Sequence, residues 1–135
     1  LTIFGDGSQT RAFSYISDVA PHIANSINIS DAYNQVINIG GDIEYSVNDL
    51  ATTVTSVLGL EQPIDYQPAR NEVLHAYSDH SKAKKLFKIK ENDFVSLKEG
   101  VTRMAEWVKL AGSRESSYFG EIEIDEKLPP IWRKK

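Results

Sequence analysis

Two arginines are the residues whose type and setting best suit chemistry. Arg11 opens the second of two short apolar runs in residues 1–18, just ahead of Phe13, Tyr15 and Ile16. Arg70 stands in Pro68-Ala69-Arg70-Asn71-Glu72-Val73, inside a polar, functional-looking loop over residues 67–75. A planar, permanently charged guanidinium suits bidentate capture of phosphate oxygens. Taken alone, Arg11 reads as an ordinary solvated arginine on a surface hairpin. Two arginines this far apart are most often separate surface charges. His22, His75 and His80 fall in unrelated elements without metal-ligand spacing, and read as ordinary histidines.

The elements that must carry these side chains follow from local pattern. Gly5, Asp6, Gly7 and Ser8 supply turn chemistry between the two opening runs, which suggests a hairpin-like pair. Asp18 is a candidate helix cap, with Pro21 tolerated in the first turn. Val19, Ala20, Ile23, Ala24 and Ile27 then recur at helical spacing, which predicts a helix over 19–28. Ser30-Asp31 breaks it. Residues 33–39 are short and β-branched before Gly40-Gly41, which predicts a strand. Ser46 is a natural N-cap with Asp49 at N3. Val47, Leu50, Ala51, Val54, Val57 and Leu58 form one apolar face, and Gly59 suits the C-terminal stop.

Residues 63–66 read as a short extended piece. Ser78 or Asp79 should cap a short helix whose inward side is Ala83, Leu86 and Phe87; capping accounts for Asp79 and Ser81 better than a ligand does. Ser96-Leu97-Lys98-Glu99 fits the reciprocal capping box. A helix through Leu97, Val101, Met104, Ala105 and Val108 follows, ending at Gly112. Gly100 lowers its intrinsic stability, and Met104 and Trp107 are expected in core or interface. Ile122-Glu123-Ile124 is a candidate strand, and residues 128–135 read as an extended arm.

The chain has 135 residues, enough for one modest domain with its own core. Hydrophobic residues make up 41% and charged residues 25%, an ordinary balance for a globular protein. A net charge of −4 and a pI near 5.3 argue against general nucleic-acid binding. No apolar run reaches membrane-spanning length. The absence of cysteine excludes disulfides, thiol nucleophiles and thiolate metal sites; it is compatible with the cytoplasm, the expected location. The chain opens at Leu1 inside a strand-like run, so further sequence is expected upstream.

Several ordered motifs carry a family resemblance. Thr2 to Arg11 followed by Phe13-Ser14-Tyr15-Ile16-Ser17-Asp18-Val19-Ala20 resembles the substrate-side motif of the extended short-chain dehydrogenase/reductases. These are the NAD-dependent nucleotide-sugar epimerases and dehydratases, with UDP-glucose 4-epimerase as the nearest type. Asn38-Ile39-Gly40, Tyr45-Ser46-Val47 with Leu50-Ala51, Asp79-His80-Ser81-Lys82-Ala83 with Leu86, and Ser96-Leu97-Lys98-Glu99-Gly100 with Glu106-Trp107 continue it in order. Ala12 departs from it, since the family usually has an acidic residue after the arginine.

The resemblance implies an α/β fold, a partial Rossmann-type sheet plus a small C-terminal substrate-binding lobe. It assigns residues 1–112 to that region and 113–135 to an extended tail. It places the diphosphate of a UDP- or dTDP-sugar on Arg11 and Arg70, and the base against Thr2 and Phe4. A ribose hydroxyl falls to Glu72, with Gln9 in the same groove. Phe4 is equally plain strand core. NAD is implied for the intact enzyme but not for this chain alone. Gly5-Asp6-Gly7 leads into a second strand-like run and lacks the third glycine of a dinucleotide fingerprint. No tyrosine has a lysine four residues on, so the family's catalytic pair is not present. The chain alone is therefore expected to be inactive, to pack against an NAD-binding half, and to dimerise if left without it. The rival is a stand-alone, non-catalytic nucleotide-sugar-binding or dimerisation module.

Overall fold

The computed structural model describes residues 1–61, 63–90 and 92–112. The opening runs form β1 (Thr2–Phe4) and β2 (Thr10–Arg11), but not a hairpin. β1 pairs in parallel with β4 (Asp65–Gln67), Thr2 opposite Asp65 and Phe4 opposite Gln67. β2 lies between β3 (Tyr45–Ser46), antiparallel, and β5 (His75–Ala76), parallel. The intervening turn explains the correction. Its carbonyls are spent on the helix that follows β3: Asn48 N donates to Gly7 O at 3.1 Å, and Val47 N donates to Gln9 O at 3.0 Å. Gly7 has φ +75°, and a Cβ there would lie 2.1 Å from Asn48 Oδ1, so the turn is seated on that helix rather than closed on itself.

The helix is α2 (Val47–Leu58), capped as expected. Asp49 N donates to Ser46 Oγ at 3.0 Å, and Ser46 N donates to Asp49 Oδ2 at 2.9 Å. Gly59 ends it in the left-handed region. α4 (Leu97–Ala111) has only half of its expected box. Glu99 N donates to Ser96 Oγ at 3.2 Å, but the Glu99 carboxylate turns forward to accept from Arg103 Nε at 2.8 Å. α2 and α4 pack together with Ala51, Gly100 and Ala105 buried. At Gly100 an added Cβ would already touch the Tyr15 Cβ at 3.4 Å, so the missing side chain serves close approach. Met104 and Trp107 are each 57% exposed, which removes the core from their two expected placings and leaves the interface. The buried apolar side chains among the described residues are Ile3, Ala51, Ala83, Ile89 and Ala105.

α3 (Ser81–Phe87) begins after His80, and the Asp79 carboxylate accepts from Ser81 N at 2.9 Å. Asp79 thus satisfies a first-turn donor from just outside the cap position. Ala83 is fully buried.

The remaining segment departs most from expectation. α1 (Ile16–Asn25) starts before Asp18, at Tyr15, without a side-chain cap. Asp18 lies in its first turn and accepts from Val95 N at 2.9 Å, which ties α1 to the entry of α4. Pro21 consequently falls inside the helix, and Ser26–Asn28 continues as a 3-10 turn. No residue of α1 is buried. The strand predicted over 33–39 does not form. Asn34 is left-handed with φ 57°, and no described strand pairs with the segment. A strand is a ladder, and this β-branched run has no neighbour to make one; Val36 is 86% exposed. Lys82 Nζ holds the run by donating to Gln35 Oε1 at 2.8 Å and Val36 O at 3.0 Å.

The architecture is mixed α/β with one small parallel and one small mixed sheet, in line with the expected class. No helix among the described residues is long and apolar enough to cross a membrane. The candidate strand at Ile122–Ile124 and the arm over 128–135 lie outside the described residues.

Candidate functional site

Two parallel ladders build the site. β1–β4 fixes the start of the loop over 68–74 beside Gly5, whose N–H donates to Gln67 O at 2.9 Å. β2–β5 fixes its end, where Thr10 N donates to Leu74 O at 2.9 Å. A loop pinned at both ends against the opening strands must bring its polar side chains over them.

Five of the six candidate side chains meet there in one continuous chain of contacts. The Arg70 guanidinium carbon sits 3.2 Å above the centroid of the Phe4 ring, a cation–π stack. Gln9 is buried, and its Nε2 donates to Phe4 O at 2.9 Å and to Glu72 Oε1 at 3.4 Å. The second Glu72 oxygen, Oε2, accepts from Arg11 Nη2 at 3.2 Å. Arg11 Nη1 donates to Thr10 O at 2.7 Å and to Leu74 O at 3.3 Å. Thr2 stays apart: it is exposed on β1, with Asp65 as its partner across the ladder.

Arg11 is 28% exposed and Glu72 39%, so this ion pair is partly wet and worth at most about 1 kcal/mol. Among these side chains two cations face one carboxylate, which leaves a net positive edge. Arg70 also covers one face of Phe4, so a planar group could stack on that ring only from its other face.

A second polar cluster was not legible beforehand. His80 is buried; its Nδ1 lies 3.1 Å from Asp42 Oδ1 and its Nε2 lies 2.9 Å from Ser78 Oγ. Asp42 also pairs with Lys84. The Lys84 hydrogen bond, followed by that from His80, outweighs partial burial and holds the Asp42 carboxyl below its ordinary range. His80, Asp42 and Lys84 border an open cavity of about 400 Å³ that Phe13, Tyr45 and Tyr77 also line. The sequence signal was the motif Asp79-His80-Ser81-Lys82-Ala83, which contains His80 without giving it a partner; in the fold an added Cβ at Gly40 would lie 3.3 Å from His80 Nε2. No group of three or more His, Asp or Glu among the described residues could hold a metal.

Gly5 and Gly7 turn between strands of different sheets, and the Asn48 side chain fills the space beside Gly7.

No protein-family model matches the chain. It is 39% identical over 108 residues to a putative UDP-glucose 4-epimerase of Methanocaldococcus jannaschii, covering 79% of this chain and 33% of that protein. Its fold matches the UDP-glucuronic acid 4-epimerase of Bacillus cereus, solved with UDP-glucuronic acid and NAD. The TM-score is 0.72 at 30% identity, over 83% of this chain and 36% of that one. An NAD-dependent NDP-hexosamine 5,6-dehydratase of tunicamycin biosynthesis matches at TM-score 0.70 and 25% identity, over 82% of this chain and 35% of that one. The chain thus spans about a third of the length of the proteins it matches. Its relatives and structural neighbours are nucleotide-sugar epimerases and dehydratases, the enzymes of the extended short-chain dehydrogenase/reductase family that the motifs resemble, and the chain matches a fragment of them by sequence and by fold.

Proposed function

We propose that residues 1–112 are the nucleotide-sugar-binding part of an NAD-dependent epimerase or dehydratase. Arg11 and Arg70 grip the diphosphate of a UDP- or dTDP-sugar, the Thr2–Phe4 edge faces the base, and Gln9 and Glu72 line the groove on the ribose side. The observation that carries this reading is the unbroken run of contacts from Arg70 through Phe4, Gln9 and Glu72 to Arg11. A diphosphate leaving water needs several charge-assisted donors, and two guanidinium groups on one pinned loop and one strand supply them.

The groove acts by binding. Energy gained on the nucleotide handle, remote from the reacting sugar carbon, holds the hexose in place for chemistry supplied elsewhere. The chain has no Tyr-x-x-x-Lys pair, and its turn glycines do not cradle a dinucleotide. NAD, which accepts and returns hydride in this chemistry, would therefore sit on the part of the family fold that the chain does not span. The apolar face of α1 and residues 33–39 supports a seat for that part. Ile16, Ile23, Ile27 and Val36 are 57–86% exposed there, and the backbone over 33–39 has the composition of a strand without a partner.

Calorimetric titration with UDP tests the site. Arg11→Ala with Arg70→Ala should weaken binding by about 100-fold or more, since each charge-assisted contact is worth roughly 1.5–3 kcal/mol. Unchanged affinity would remove the assignment.

A further inference from the structure

We infer that Glu72 is the internal anion of the groove. Its carboxylate holds the edge of Arg11 that a diphosphate would take, and binding exchanges one anion for the other. The inference rests on the diphosphate reading above and adds to it a basis for selectivity.

The Arg11 guanidinium is divided between two duties. Nη1 is committed to the backbone, donating to Thr10 O and Leu74 O, which fixes the side chain along β2. Nη2 points away from those carbonyls and meets Glu72 Oε2. The carboxylate is held in this pose from its other side by Gln9, a buried amide itself anchored on the Phe4 carbonyl of β1. Both Glu72 oxygens are therefore occupied, Oε2 by Arg11 of β2 and Oε1 by Gln9 of the segment between β1 and β2. The backbone of the same turn is closed by Glu72 N donating to Arg70 O at 3.0 Å, so the anion and the second arginine share one short segment.

An entering anion must displace Glu72 from Nη2, and this sets a threshold. The displaced carboxylate stays beside the new anion because Gln9 keeps hold of Oε1. That proximity is unfavourable unless the ligand brings donors of its own for Oε2. A diphosphate carrying neighbouring hydroxyl groups supplies them, whereas bare pyrophosphate does not. Glu72 thus favours hydroxyl-bearing diphosphates over the bare anion.

The test is calorimetry on the 135-residue chain with inorganic pyrophosphate and with UDP. Four proteins are compared: wild type, Glu72→Gln, Arg11→Ala and the double variant. Glu72→Gln should tighten pyrophosphate binding about two- to fivefold, the range of a half-exposed ion pair, and should help UDP less. In the Arg11→Ala background the same substitution should leave pyrophosphate affinity unchanged. An equal gain in both backgrounds would make Glu72 a diffuse negative field, and no gain at all would leave it no role against the anion; either overturns the exchange. If UDP and pyrophosphate are both indifferent to Arg11→Ala and to Arg70→Ala, the diphosphate reading itself fails and the exchange falls with it.

Discussion

The arginine groove and the face made by α1 with residues 33–39 are built from similar residue types, yet they end in opposite states. Around the groove, β1 and β2 each find partners in distant strands, Ile3 is buried, and the polar side chains of Gln9, Arg11 and Glu72 close on one another. On the other face, Ile23 and Ile27 are 57% and 71% exposed, and a β-branched run lies without a ladder. The contrast separates two sources of stability. Local signals are enough to wind α1, but they do not cover it. Burial of its apolar side needs a surface that the described residues do not supply.

Substitutions on the two sides break or sharpen this contrast. Ile3→Ala should have the largest effect on folding, about 2–4 kcal/mol, because it empties a site buried under the β1–β4 pair. Urea unfolding would show it as a lower midpoint with an unchanged slope. Ser46→Ala comes next. It removes the Oγ that accepts from Asp49 N, while the backbone N of residue 46 keeps its bond to the Asp49 carboxylate, with an expected loss of about 1 kcal/mol in the same assay. Ile23→Ala and Val36→Ala should be smallest, within about 0.5 kcal/mol for the chain alone, as for surface positions generally. Losses of 2 kcal/mol or more at those two sites, by contrast, would mean that the face is already covered in solution by another copy. Gel filtration of the wild type would decide between the two.

Legibility followed the range of the interaction. The caps of α2 and the stops of its two ends were readable because an N-cap and its N3 partner lie three residues apart, and nothing distant competes for them. The same pattern at Ser96 was only half realised, because Arg103, one turn further on, is a better partner for Glu99 than a backbone N–H. The 33–39 run shows the limit of composition. β-Branched residues describe what a strand tolerates, while a strand exists only when another lies beside it. Phe4, Gln9, Arg11, Arg70 and Glu72 could each be singled out in the sequence, and so could a shared groove. That Glu72 faces Arg11, and that Gln9 joins both sheets beneath it, could not. His80 read as an ordinary histidine because its main partner Asp42 lies in a distant loop, 38 residues away, with no shared pattern.

The sequence by itself determined the helices with strong caps, the turn chemistry of residues 5–8, the family resemblance, and the residue types available to hold an anion. Each of these depends on neighbours within a turn or two, or on ordered motifs along the chain. Tertiary structure alone decided that the opening runs part into two sheets and that the loop over 68–74 closes over them. It also decided that the arginine of one strand meets the carboxylate of that loop. Parallel ladders join segments with no local connection, so their register, and the groove it creates, exist only once the chain has folded.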